Sequence, residues 1–226
     1  MRTSKFARAE VVLQDLARRY LPTGDLTTGG TALAKVRAET EDPFRVLIAT
    51  ILSQRTRDEW TDLASRRLFA KYSDPESLAV ADVGDIERLI HPVNFYRGKA
   101  RKIREVARVL LERHGGRVPD TYAELLALPQ VGPKTANCVL VYGYGRAGIP
   151  VDVHVHRVSN RLAIVRTAAP EETEAALKRI VPRDRWYLVN ELFVRFGKDI
   201  CKPIGPRCEV CTFTSFCAYF RRQRRR

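Results

Sequence analysis

The segment 125–137, which reads LLALPQVGPKTAN, predicts two helices joined by a tight turn. The first helix is expected to end before Pro129, because proline disfavours the helical conformation in the residue that precedes it. Gly132 can adopt a turn conformation that other residues resist, and Pro133 suits the first position of the next helix. Backbone N–H groups at the start of that helix can bind a phosphate oxygen without reading the base sequence. An ordinary connector between two helices explains the local pattern equally well.

Outward from this segment, helical periodicity dominates and strand signals are scarce. Residues 4–20 predict an amphipathic helix, and 44–52, apolar on nearly every side, predicts a buried helix that begins at Pro43. Residues 21–42 contain two kinds of helix breaker, proline and glycine, and predict a loop or linker. We therefore predict an all-α fold, a compact bundle of many short helices. Further helices are predicted at 56–71, 82–90, 98–113, 121–128, 133–144, 152–164, 170–181 and 184–197.

The charge of the chain indicates its partner. Its 226 residues include 40 Lys and Arg but 26 Asp and Glu, which gives a net charge of +14. Such an excess is typical of proteins that bind a polyanion, most often nucleic acid, although a solubility feature or a basic tail is the simpler interpretation. Composition excludes wholesale disorder, a collagen-like fibre and a disulfide-dense mini-protein. No apolar run approaches the roughly 18 residues of a membrane span, so no membrane partner is expected.

Two residues are candidates for chemistry. Lys134 lies in the first turn of the helix after the predicted turn, where it could contact phosphate or, as a neutral amine, form a Schiff base. Asp152 begins the segment 152–162, DVHVHRVSNRL, and suits a helix N-cap. The same carboxylate could stabilise positive charge on a sugar ring during glycosidic cleavage, and the two roles are compatible. His154 and His156 are two residues apart and cannot share one helix face, which excludes a paired-histidine metal site. His154 remains a candidate support for Asp152.

Cysteine usage predicts a metal or cluster site. Four of the five cysteines lie near the end of the chain, as Cys201-x6-Cys208-x2-Cys211-x5-Cys217. The N-terminus shows no secretory signal, so a reducing cytoplasmic location is expected, with nucleoid association in a prokaryote, and disulfides are not. By ligand count alone, four thiolates suit a tetrahedral zinc ion or a [4Fe–4S] cluster equally well.

Taken together, LPQVGPKTAN, VDVHVHRVSNRL and the four cysteines resemble the endonuclease III family over roughly 40–217. These are bifunctional DNA glycosylases of the helix–hairpin–helix superfamily. The resemblance implies two all-helical lobes with duplex DNA between them. A monomer is expected, because the sequence shows no heptad pattern and no obvious apolar patch. One lobe is a six-helix barrel at 36–148. The other is a [4Fe–4S] cluster domain of 1–35 and 149–226, with its cluster loop at 201–217 and a basic tail at 218–226.

The resemblance also implies a mechanism and its residues. Lys134 becomes the nucleophile and Asp152 the essential carboxylate, so that one lysine removes an oxidised pyrimidine and then cleaves the strand by β-elimination. The cluster ligands are then Cys201, Cys208, Cys211 and Cys217. Lys202 and Arg207 lie between the first two of these ligands and are expected to contact DNA phosphates.

Further DNA contacts follow from the same resemblance. Arg55 stands where relatives commonly carry the glutamine that fills the space left by the flipped base, whereas Gln54 lies one residue earlier and is the alternative. A phosphate contact is equally open for Arg55. Phe95 matches a residue that enters between base steps, although packing in the core is equally open. Arg97 and Lys99 add basic charge at the start of the next helix.

The hairpin departs from the family pattern at two positions. Gln130 stands where relatives often have glycine, and Pro133 stands where they tend to have a basic residue. Gln130 and Gly132 remain predicted DNA contacts, but we expect the hairpin to bind phosphate more weakly than in relatives.

Two other functions fit part of these observations. A mismatch glycosylase acting on adenine or thymine belongs to the same superfamily, although the adenine-specific relatives usually lack the hairpin lysine. A non-catalytic DNA-binding module with an iron–sulfur cluster would need the basic residues and the cysteines but not Lys134 with Asp152.

Overall fold

The computed structural model describes residues 4–22 and 42–224. Most of the predicted linker 21–42 and the last two residues of the predicted tail therefore lie outside the described residues. Within them the chain is all-helical, with no strand, which confirms the predicted fold class. No helix in these ranges is long and apolar enough to cross a membrane. The α-helices are α1 (Lys5–Tyr20), α2 (Pro43–Ser53), α3 (Asp58–Lys71), α4 (Pro75–Ala79), α5 (Val83–Ile90), α6 (Tyr96–His114), α7 (Tyr122–Leu126), α8 (Pro133–Cys138), α9 (Val153–Arg161), α10 (Pro170–Ile180), α11 (Trp186–Asp199) and α12 (Ala218–Gln223).

The described residues divide into two compact units, one of residues 4–22 with 147–224 and the other of residues 42–146. Each unit has its own apolar core. The barrel at 36–148 and the cluster domain at 1–35 with 149–226 stay predictions.

The unit of residues 42–146 is built around α2. Asp42 caps this helix by accepting a hydrogen bond from the backbone N–H of Phe44 at 2.9 Å, and Pro43 occupies its first position. Phe44 and the seven consecutive residues 46–52 are buried, as the largely apolar pattern predicts. The helix packs against α3, α6 and α8. Its C-terminal end is thereby fixed next to the turn that carries Gln54 and Arg55.

The other unit packs α9 against α11, which in turn packs against α1. Ser4 caps α1, and Asp152 caps α9. The apolar face of α11 is buried through Phe193 and Phe196. This packing fixes α9, whose first residue follows the candidate carboxylate.

Three parts of the helical pattern differ from the prediction. The predicted helix 133–144 is α-helical only to Cys138 and continues as a π-helix over Val139–Gly143. Gly143 meets Pro43 there, because an added Cβ would lie 3.0 Å from the proline Cα. Helix α4 was not predicted, although its Asp-Pro start is a helix signal. Part of the predicted basic tail is the short helix α12.

Candidate active site and cysteine cavity

The hairpin between α7 and α8 carries its left-handed residue at Gln130 and not at Gly132. Gln130 has φ +63°, whereas Gly132 has φ −98° and caps α8 from extended backbone. The prediction that Gly132 supplies the unusual turn conformation is therefore wrong. The turn needs a left-handed residue two positions earlier, which explains why glycine is favourable at position 130.

Lys134 occupies the first turn of α8, directly after Pro133. Its side chain is partly exposed, while the next four residues of the helix are buried. Within the described residues of its unit, no hydrogen bond or ion pair engages its amine. The helix therefore presents a lysine whose amine is not committed to the fold.

The turn after α2 directs Gln54 and Arg55 differently. The Gln54 side chain donates to the backbone carbonyl of Gln130 at 3.4 Å and approaches Thr135 Oγ1 at 3.5 Å. Arg55 is exposed at φ +56°, and its guanidinium lies 5.4 Å from the centre of the Phe95 ring. Gln54 is thus tied to the hairpin, whereas Arg55 faces outward.

The loop before α6 presents Phe95 on the surface. Phe95 is 65% exposed at φ +58°, which contradicts the alternative that it packs in the core. The neighbouring Asn94 side chain donates to the Arg55 carbonyl at 2.5 Å. Arg97 is also exposed and lies over the Tyr96 ring. Two segments 40 residues apart in the chain therefore share one surface, which we call the Arg55–Phe95 face.

Lys99 does not lie on this surface. It is 6% exposed, and its ammonium donates to the carbonyls of Leu52 and Gln54, both at 2.6 Å, and to Thr56 Oγ1 at 3.0 Å. The predicted direct contact of Lys99 with DNA is therefore wrong, because all three ammonium protons have acceptors within the protein. Burial lowers the pKa of Lys99 to about 8.

Asp152 acts as the N-cap of α9. One carboxylate oxygen, Oδ1, accepts hydrogen bonds from the backbone N–H groups of His154 and Val155, both at 2.8 Å. The side chain is partly exposed, and no hydrogen bond to Oδ2 is formed within the described residues of its unit. One oxygen therefore fixes the carboxylate while the other stays accessible for chemistry.

His154 supports Asp152 through its backbone rather than its ring. Its Nδ1 lies 3.0 Å from Nη2 of Arg157, which can only donate, so this ring nitrogen accepts. Burial lowers the pKa of His154, which favours the neutral imidazole. Gly197 on α11 makes this packing possible, since an added Cβ would lie 2.8 Å from Nδ1.

The four predicted cysteine ligands line one small cavity of about 20 Å³. Arg161 borders it: its guanidinium lies 3.7 Å from Sγ of Cys201, and its carbonyl accepts a hydrogen bond from the Cys217 thiol at 3.2 Å. Burial and the neighbouring sulfurs raise the pKa of Cys208 and Cys217, and that of Cys211 to about 11. Metal binding at these thiols would therefore release protons.

The two candidate cofactors require different arrangements of the four thiols. Four thiolates around one zinc ion lie about 3.8 Å from one another, given a Zn–S distance of about 2.3 Å. In the described part of the chain, no three thiol, imidazole or carboxylate groups are placed to hold a single metal ion. Each thiolate of a [4Fe–4S] cluster binds a different iron, so its sulfurs are spread more widely. Four thiols that line one cavity supply the four ligands that a [4Fe–4S] cluster requires.

The loop between Cys201 and Cys208 is exposed over most of its length, including Lys202 and Arg207. Arg207 pairs with Asp199 on α11, with Nη1 and Oδ1 3.3 Å apart. Arg161 donates to the carbonyls of Lys202 and Pro203, at 2.6 and 2.9 Å. The loop is thereby attached to α9 and α11 at both ends, while the Lys202 side chain is exposed.

Three residues of these sites were not singled out by the sequence analysis. Lys102 donates to the Gln130 side chain at 2.6 Å, Asn94 fixes the Arg55 carbonyl, and Arg161 borders the cysteine cavity. Arg161 follows Arg157 by four residues, so the two share one helix face, and this spacing was a usable signal. Nothing in the sequence around Lys102 or Asn94 singles them out.

Comparison with known proteins identifies the class. Residues 48–183 match the family model described as HhH-GPD superfamily base excision DNA repair protein. The chain is 53% identical to endonuclease III of Thermotoga maritima over 182 residues, which cover 80% of this chain and 85% of that protein. It is 40% identical to chloroplastic endonuclease III homolog 1 of Arabidopsis thaliana, of which it spans about half (49%).

The fold agrees with this class. A solved structure of a trapped endonuclease III–DNA covalent intermediate superposes with a TM-score of 0.83 at 30% identity, covering 98% of this chain and 99% of the other. The chain belongs to the endonuclease III family of base-excision-repair DNA glycosylases with AP lyase activity.

Proposed function

We propose that this DNA glycosylase and AP lyase uses Lys134 as its nucleophile. The observation that carries the proposal is a lysine in the first turn of α8, directly after the hairpin, whose amine makes no hydrogen bond within the described residues of its unit. An amine of this kind is accessible to substrate, whereas Lys99, whose pKa is lowered by burial, is enclosed. A lysine amine that attacks C1′ combines base removal and strand cleavage in one residue.

In the proposed reaction, Lys134 and Asp152 act on a nucleotide that has flipped out of the duplex. The damaged nucleotide leaves the duplex, because its C1′ cannot be reached inside the helix. The Lys134 nitrogen bonds to C1′ while the bond from C1′ to the base breaks, and the departing base takes a proton. Asp152 stabilises the positive charge that develops on the sugar. Ring opening gives an imine, loss of a 2′ proton expels the 3′ phosphate, and water releases the lysine.

Oxidised pyrimidines in duplex DNA are the proposed substrates. We propose that Arg55, rather than Gln54, fills the space left by the flipped base, because Gln54 is tied to the hairpin whereas Arg55 faces outward. Phe95 would enter between neighbouring base steps. Arg97, Gln130, Gly132, Lys202 and Arg207 remain proposed phosphate contacts. The enzyme is proposed to act as a monomer in the cytoplasm.

A [4Fe–4S] cluster is proposed to be held by Cys201, Cys208, Cys211 and Cys217. When bound, it would cross-link the chain through thiolate–iron bonds and so shape the loop that carries Lys202 and Arg207. The purified holoprotein is expected to contain about four irons and four acid-labile sulfides per chain. Cys211→Ser should lower both contents. One equivalent of zinc with no sulfide would contradict the proposal.

The substrate is tested by single-turnover assays on three duplexes that differ at one position. They carry an oxidised pyrimidine, a thymine mispaired with guanine, or an adenine mispaired with guanine. Excision and strand cleavage of the first duplex, at least tenfold faster than of the others, is the expected result. Faster excision from either mismatch would replace the proposed substrate with that of a mismatch glycosylase.

A further inference from the structure

Lys99 is the buried lysine that the reaction above does not use. Its ammonium lies under the end of α2, where it binds the carbonyls of Leu52 and Gln54 and the hydroxyl of Thr56. The C-terminal carbonyls of a helix lack intrahelical partners and carry partial negative charge, so a cation is favourable at this end. Three acceptors around one ammonium form a specific site rather than an accidental contact.

The residues held by Lys99 surround Arg55. Gln54 precedes Arg55 and Thr56 follows it, and Lys99 bonds to both. Arg55 itself has φ +56°, a left-handed conformation that is costly for a residue with a Cβ and persists where its surroundings impose it. The two flanking hydrogen bonds are part of those surroundings.

Lys99 also belongs to the helix that carries the aromatic partner of Arg55. It lies in the first turn of α6, and its backbone N–H donates to the Phe95 carbonyl at 3.0 Å. One residue therefore bonds through its backbone to Phe95 and through its side chain to the turn of Arg55. The hydrogen bond from the Asn94 side chain to the Arg55 carbonyl also links the segment of Phe95 to that of Arg55.

We propose that Lys99 is a positioning residue that holds Arg55 and Phe95 in the arrangement that enters the DNA gap when the damaged nucleotide flips. The inference rests on the proposed function, because only a flipped nucleotide leaves a gap to fill. Lys99 itself does not touch DNA, since its side chain is enclosed. Without the ammonium, the Leu52 and Gln54 carbonyls lose these hydrogen bonds, and the turn of Arg55 is no longer fixed.

The test separates gap filling from lyase chemistry. A single-stranded oligonucleotide with an abasic site needs Lys134 but has no base pair to open, whereas a duplex with an oxidised pyrimidine needs both. Lys99→Met keeps the apolar stem and removes the charge. We expect its single-turnover rate to fall at least tenfold on the duplex and to stay within about twofold of native on the single strand. Lys71→Met, which removes a cation from the same unit, is the matched control and should behave as native on both.

A fluorescent reporter, measured together with duplex binding, separates loss of gap filling from a general loss of folding, because an unfolded variant would lose both signals. 2-Aminopurine placed opposite the lesion brightens when it is unstacked, so native protein should raise its fluorescence on binding. Lys99→Met should bind the duplex but lose most of this increase. Should Lys99→Met fail to fold, Thr56→Val removes one of the three acceptors at a smaller cost and should give a few-fold loss on the duplex alone.

Two results would overturn the inference. Native rates and native fluorescence for Lys99→Met on the duplex would show that the turn does not depend on the ammonium. An equal loss on the duplex and on the single strand, in a folded variant, would show that Lys99 only supports the fold. If the native protein cleaves neither substrate, the proposed function fails before Lys99 is considered.

Discussion

At the scale of single residues, Asp152 illustrates how a structural and a chemical task can share one carboxylate. Oδ1 accepts two backbone hydrogen bonds at the start of α9, while Oδ2 has no such partner within the described residues of its unit. The cap holds the side chain in one orientation, so little conformational entropy would be lost when it meets a substrate. The same arrangement makes the two tasks separable by mutation.

Asp152→Asn should keep the cap and lose the charge. Asparagine caps helices about as well as aspartate, whereas alanine loses roughly 1 kcal/mol. We therefore expect Asp152→Asn to change the free energy of unfolding by less than about 0.5 kcal/mol and Asp152→Ala to lower it by about 1 kcal/mol. Both should slow base excision about 100-fold or more, as loss of an electrostatic stabiliser does. Denaturant unfolding and single-turnover excision measure the two effects, and a native excision rate for Asp152→Asn would exclude the catalytic role.

Substitutions at Gln130 and Gly132 in the hairpin are expected to change DNA affinity in opposite directions. Gln130→Gly removes the Cβ from a left-handed residue and should raise DNA affinity a few-fold, because the backbone can approach phosphate more closely. Gly132→Ala places a Cβ in open space at φ −98° and should leave stability nearly unchanged while lowering DNA affinity. Fluorescence anisotropy with a non-cleavable duplex measures both. An unchanged affinity for Gln130→Gly would mean that position 130 does not limit phosphate binding.

At the scale of elements, the contact between α9 and α11 depends on the absence of one side chain. Gly197 on α11 faces His154 and Arg157 on α9, and Arg157 donates to the Gly197 carbonyl at 3.0 Å. Arg157 also donates to the Cys201 carbonyl at 3.1 Å. The position of the Asp152 helix and the start of the cysteine loop are therefore linked through one close helix contact.

Gly197→Ala should separate these helices. Its Cβ would lie 2.8 Å from Nδ1 of His154 and 3.0 Å from Nη2 of Arg157, so we expect a loss of about 1–3 kcal/mol in the free energy of unfolding. Gly98→Ala on α6 is the control, since its Cβ meets nothing within 4 Å and should be neutral or slightly stabilising. Chemical denaturation checks both variants. Equal stability of the native protein and Gly197→Ala would contradict the close packing.

Helices were predictable from the sequence where an N-cap residue and the apolar periodicity mark the same helix start. Pro43 after Asp42 marks the start of α2, and Ser4 and Asp152 mark those of α1 and α9. The turns were not predictable, because the left-handed residues Arg55, Phe95 and Gln130 are imposed by contacts between distant segments. Burial of Lys99 has the same cause: its acceptors lie more than 40 residues away in the chain.

At the scale of the whole molecule, the net charge of +14 makes DNA affinity depend on salt. Each neutralised phosphate releases counterions, so the slope of log affinity against log salt is about −0.9 per contact. With five or more phosphate contacts we expect a slope of about −4.5 or steeper. Lys202→Ala should reduce its magnitude by about 1, whereas Lys71→Met should not. A native slope near zero would contradict binding through phosphates.

The central claim is that Lys134 forms a covalent bond with the DNA it cleaves, and borohydride trapping tests it most directly. Native protein, incubated with a duplex carrying one oxidised pyrimidine and reduced with borohydride, should give a protein–DNA adduct. Lys134→Ala should bind the same duplex, keep its iron content and give no adduct and no strand cleavage. An adduct of native yield with Lys134→Ala would place the nucleophile elsewhere and contradict the account.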